Sequence, residues 1–182
     1  MGLALENLDD TTRRCMLDEF ERDVADECLY YSKWFTERGK REYPELCRSA
    51  ITTGSDDSLA AGLGAPGLFV DRYEKKTPRG GITVAAVPHT APNTFAEGEF
   101  NRYYLRGLCA RLIAEGSGQI EIYRARSSAQ ARTASEAMIG AILDPAALLA
   151  DLRANMGVDT ALGLPPGPNS GLSGRIASGP RP

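Results

Sequence analysis

Residues 94–116 read TFAEGEFNRYYLRGLCARLIAEG, and this stretch decides the fold. Phe100, Tyr104, Leu108 and Leu112 recur every four residues, and Tyr103, Cys109 and Ile113 widen the stripe into a helix face turned toward a core. Asn93 or Thr94 starts this helix, with Thr94-x-x-Glu97 in the form of a capping box, and Gly116 and Gly118 end it.

Downstream, residues 119–126 (QIEIYRAR) alternate Ile120 and Ile122 with Glu121 and Tyr123, the period of a half-buried strand. Thr133-x-x-Glu136 predicts a short helix carrying Met138, Ile139 and Ile142. Asp144-Pro145 starts another, with Leu148, Leu149, Leu152 and Met156 on one face and Gly157 at its end. Upstream, residues 68–76 and 82–87 are β-prone and flank the turn-rich TPRGG, which predicts a β-hairpin. Ahead of the hairpin, Asp9, Asp10 and Thr11 offer caps for a helix over roughly 11–27 with Met16, Phe20 and Val24 inward. Thr36 opens a second helical run, and Pro44 suits the first position of a renewed segment ending near Gly54. Ser55-Asp56-Asp57 opens a short piece that stops at the Gly62/Gly64/Pro66 cluster.

The sum is an α+β chain: a mainly helical body with a hairpin and one further strand. Its organisation reads as an arm at 1–8, one domain at 9–162 and an extended tail at 163–182. Half of the tail is Gly or Pro, which disfavours helix and central strand alike. A tail of that composition becomes ordered when a neighbour holds it. This predicts an assembly arm whose contacts include Pro165, Pro166, Pro168, Asn169, Leu172 and Arg175.

Composition narrows the function classes. The 182 residues suffice for one substantial core, and 42% hydrophobic with 25% charged residues is ordinary for a globular protein in water. The N-terminus has neither the basic flank nor the apolar run of a secretory leader. Apolar stretches such as 57–70 are too short and Gly-broken to span a membrane, so cytoplasmic synthesis is expected. The net charge of −3 is unevenly spread: residues 1–99 hold 12 Lys/Arg against 18 Asp/Glu, and residues 100–182 hold 9 against 6. That polarity can orient subunits, but it falls short of a nucleic-acid footprint.

Chemistry-bearing motifs are sparse. Cys15, Cys28, Cys47 and Cys109 lack metal-ligand spacing and read as small buried hydrophobes. In an oxidising particle, Cys15, Cys28 and Cys47 become candidates for disulfide staples. His89, between prolines in VPHTAP, has no partner at a recognisable spacing and reads as solvated. The glycines of residues 62–67 precede a strand where a dinucleotide loop needs a helix. Arg102 and Arg106 lie one turn apart, and Arg124 and Arg126 share a strand face. The four form a candidate guanidinium surface for an anionic partner such as nucleic acid, although Glu97, Glu99, Glu115 and Glu121 are near enough to pair with them. No cofactor and no catalytic constellation is expected.

GEFNRYYLRGLC (98–109) and TALGLPPGPNSGLS (160–173) resemble a group of small uncharacterised bacterial and prophage-encoded proteins. The likeness spans most of the chain. It follows the same order: acidic N-terminal helix, central helix, a YRA strand, the Ser135-Glu136-x-x-Ile139-Gly140 segment and the Pro/Gly tail. The resemblance implies a phage-associated protein located in the virion and transfers no activity. With the residue reading, it predicts a structural subunit of a multi-subunit particle (head, neck or tail) whose partners are other protein subunits, and not an enzyme.

Overall fold

The computed structural model describes residues 2–78, 80–127, 133–158, 160, 162 and 170–178. Every residue from Arg102 to Cys109 is buried, so helix α4 (Ala91–Glu115) is wrapped on all sides and serves as the axis of the molecule. Helices α1 (Asp10–Ala25), α2 (Glu37–Thr53) and α3 (Asp56–Leu63) pack around it, with α6 (Pro145–Ala154) from the C-terminal half. Asp9 caps α1 by accepting from the Thr12 N–H at 2.9 Å. Its inward face, Thr12, Met16, Glu19, Phe20 and Asp23, then follows helical spacing against α4. The two helices meet tightly at Gly107, where a Cβ would stand 2.6 Å from the Met16 backbone nitrogen. Only hydrogen fits there.

The chain is α+β, with the hairpin of β1 (Arg72–Lys76) and β2 (Ile82–Ala86) standing apart from a second sheet. That second sheet has the order β4-β3-β5, all antiparallel, with β3 (Ile120–Arg124) between β4 (Ile142–Leu143) and β5 (Leu172–Ile176). Short helix α5 (Thr133–Glu136) leads into β4. Ile142 is therefore a strand residue, not the helical one its spacing suggested. Gly140 at φ 83° turns the chain so that its N–H donates to the Ile122 carbonyl.

The largest departure from the sequence reading is β5. The tail was expected to be an arm with no place in the body, yet Leu172 is 3% exposed and sits in the core. The stretch LSGRI contains no proline, and its single glycine is needed. A Cβ on Gly174 would stand 2.6 Å from Ile120 Cγ2 and 2.8 Å from Leu105 Cδ2. Asn101 Nδ2 donates to the Leu172 carbonyl at 2.9 Å, which fixes the strand to α4. Residues 2–8 also lie on this body: the Ala4 N–H donates to the Ala125 carbonyl at 3.0 Å and the Ile176 N–H to Asn7 Oδ1 at 2.9 Å.

Two helix starts also differ. The Thr94 N–H donates to the Thr90 carbonyl inside the first turn of α4, so no capping box forms there. Pro92, well suited to a first turn, lets the helix begin at Ala91. Helix α2 runs unbroken through Pro44, where burial of Tyr43, Cys47 and Ile51 offsets the lost hydrogen bond.

Ala for Gly within a helix ordinarily stabilises by about 1 kcal/mol. Gly107→Ala is expected to do the opposite and to destabilise by about 1–3 kcal/mol in chemical denaturation, because the methyl meets the α1 backbone. A chain ending at residue 169 is expected to lose at least about 3 kcal/mol, from the Leu172 and Ile176 side chains it no longer buries. Thermal unfolding of the truncated protein checks this.

Candidate interaction surface

Arg102 and Arg106 do not face solvent. Arg106 is 0% exposed and forks between two acids on α1, with Nη1 and Nη2 donating to Asp23 at 2.6 and 2.8 Å and Nε to Glu19 Oε2 at 2.9 Å. Tyr103 Oη donates to Asp23 Oδ2 at 2.9 Å, and Arg153 from α6 grips Glu19 from the other side. Arg102 binds Glu99 one turn back, with Nη2 to Oε2 at 2.6 Å and its guanidinium over the Tyr103 ring at 4.4 Å. Three carboxylates and three guanidiniums thus neutralise one another, all of them buried except Arg153, which is partly exposed. Burial pushes the Asp23 carboxyl up, but the hydrogen bonds and charge of Arg106 overturn this and hold it below the usual carboxylate range. Glu19 is likewise lowered against its burial, by Arg153 and Arg106. With each oxygen occupied by a cation, this cluster offers no free base. Its role is to dock α1, α4 and α6.

The other two arginines are also committed. Arg124 Nη1 donates to the Ser170 carbonyl at 2.8 Å, and Arg126 binds Glu97 Oε1 through Nε and Nη2 at 3.2 and 3.0 Å. The expected guanidinium face therefore does not form: two of its members are interior, and the others serve β5 and α4. Arg175 is held by Glu121 and Glu6, so with Leu172 it belongs to the body and not to a free arm. Pro165, Pro166, Pro168 and Asn169 lie outside the described residues.

All four cysteines are free. Cys47 and Cys109 are core residues whose thiols burial pushes up to about 12, which removes Cys47 from the disulfide candidates. Cys15 and Cys28 are half-buried. His89 is exposed beside a shallow cleft of about 240 Å³ that it shares with Asp71, and no described side chain hydrogen-bonds it. Among the described residues, no three His, Cys, Asp or Glu converge for a metal, and no helix is long and apolar enough to cross a membrane.

The hairpin is left uncovered. Its foot rests on aromatic rings: Phe35 meets Phe69 at 4.8 Å and Phe95 at 4.9 Å, Trp34 meets Tyr73 at 5.5 Å, and Lys33 lies over Trp34 at 4.9 Å. Beyond Tyr73 and Ala85 the two strands contribute nothing to the core and are exposed on both faces. Ile82 is 67% and Val84 58% exposed.

Hydrogen bonds from Val87 N–H to the Asp71 carbonyl and from Thr77 N–H to the Gly81 carbonyl fix the phase of the ladder. Alternation then turns the odd-numbered residues inward, and the main-chain groups of Ile82, Val84 and Ala86 point away from β1. Among the described residues no strand covers them. The outer edge of β1 carries Arg72, Glu74 and Lys76, charges that discourage strand addition, while β2 carries none. The sequence signalled the hairpin, but its isolation follows from how the helices pack.

No family model matches the chain, and no curated protein or solved structure matches it either.

Arg106→Met leaves Glu19 and Asp23 buried with too little positive charge and is expected to cost about 3–5 kcal/mol at neutral pH. Because both folded carboxyls sit below their ordinary values, their contribution is fully present above about pH 5 and fades as pH falls through the folded pKa. The deficit of the variant should shrink below about pH 4. Denaturant titrations of both proteins between pH 3 and 7 provide the comparison.

Proposed function

We propose that this chain is a non-catalytic subunit of a multi-subunit protein assembly, joined to its neighbours through the β1–β2 hairpin. One observation carries the reading: the hairpin is exposed on both faces, holds Ile82 and Val84 in water and leaves an uncharged edge open. An isolated two-stranded hairpin is marginal in water, and an open uncharged edge is a template for another strand. Supporting it, the buried acids Glu19, Asp23 and Glu99 are saturated by guanidiniums, and His89, although it shares a shallow cleft with Asp71, is held by no described side-chain hydrogen bond. The C-terminal stretch supports the reading less than its composition suggested, since residues 170–178 are part of the body. For the particle we propose a phage virion, which is what the resemblance of residues 98–109 and 160–173 to prophage-encoded proteins implies.

Ile82→Lys with Val84→Lys alters only exposed positions, so stability should change by no more than about 0.5 kcal/mol per site. Association is expected to be lost, as read by light scattering of the purified protein and by recovery of its neighbours when it is isolated from the cells that encode it. A doubly substituted protein that still enters every complex of the unaltered chain would refute the hairpin as the joint.

A further inference from the structure

The open edge of β2 has a self-complementary pattern, and from it we infer the partner: a second copy of this chain, paired β2 to β2 about a two-fold axis at Val84. The inference rests on the assembly reading above and specifies its first contact. The outward main-chain groups belong to Ile82, Val84 and Ala86, spaced symmetrically about Val84. In antiparallel register Val84 faces Val84 of the second copy and Ile82 faces Ala86. Each facing pair exchanges two main-chain hydrogen bonds, so the two hairpins become one four-stranded sheet.

Side-chain chemistry favours this occupant. No charged residue lies on β2, so no like charges meet across the axis, and β-branched side chains face each other at its centre. Joining through the β1 edge instead would set Glu74 against Glu74 and Arg72 against Lys76, like charge against like at every facing pair. Pro88, which cannot donate, limits pairing just beyond Val87. The interface is therefore one strand long. It extends a sheet that is too small to be stable alone.

Cross-linking tests the register. Facing residues of a hydrogen-bonded pair have Cα atoms about 5.5 Å apart, inside the range a disulfide spans. In a full-length background with Cys15 and Cys28 changed to Ser, Val84→Cys is expected to oxidise to a covalent dimer. Ile82→Cys alone is not, because its own copy lies across the axis from it. The pair Ile82→Cys with Ala86→Cys restores the cross-link.

Val84→Cys protein that stays monomeric under oxidation at concentrations of hundreds of micromolar would overturn the proposal, as would equal cross-linking at positions 82 and 84. The assembly reading fails separately. If Val84→Glu abolishes incorporation into larger complexes while Val84→Cys never dimerises, the joint stands and the second copy is the wrong partner. If Val84→Glu changes neither, both fall.

Discussion

The fold depends on the contact between α1 and α4 at Gly107. Removing a side chain there lets the two backbones meet, with Met16 against the glycine. That closeness draws the neighbouring Arg106 into the interior, where a lone guanidinium would be costly. Glu19 and Asp23, one turn apart on α1, supply the matching charge, and their geometry fixes the register of the two helices. Arg153 answers the remaining Glu19 oxygen and docks α6, while Tyr103 reaches Asp23 from α4 itself. The sheet then builds on the adjacent face through Leu105, and residues 2–8 follow the rings of Tyr104 and Tyr123.

This arrangement divides the molecule energetically. The helical body pairs the carboxylates Glu19, Asp23 and Glu99 with its own guanidiniums and folds the described parts of both terminal segments back on itself. The hairpin does neither, since its foot is anchored by Trp34, Phe35 and Tyr73 while its strands stay in water. A rigid pedestal under an exposed strand suits presentation: the body sets the direction and the edge offers the hydrogen bonds.

The axis of this fold was legible in the sequence because four-residue spacing survives whatever packs against it. Gly116 ended α4 as read, at φ 67°. Arg106 was misplaced because its partners lie far away in sequence, Glu19 and Asp23 being more than eighty residues off, whereas Arg102 and Arg126 do pair with Glu99 and Glu97, acids the sequence put within reach. Nearby acids such as Glu115 and Glu121 were the visible alternatives. Averaging composition over twenty residues hid the five-residue strand LSGRI, which is proline-free and needs its glycine for packing. The two residues of β4 were too few to show any period. The hairpin was readable from its turn, but its isolation was not, because alternation looks the same whether or not a neighbour covers the face.

Hydrogen–deuterium exchange across a dilution series addresses the central claim most directly. Amides of β3 should exchange slowly at every protein concentration, since they belong to the body. The amides of Ile82, Val84 and Ala86 should exchange rapidly in dilute protein and become protected as concentration rises. Protection of those three amides that is independent of concentration, or never develops, would contradict a hairpin edge that works by pairing between molecules.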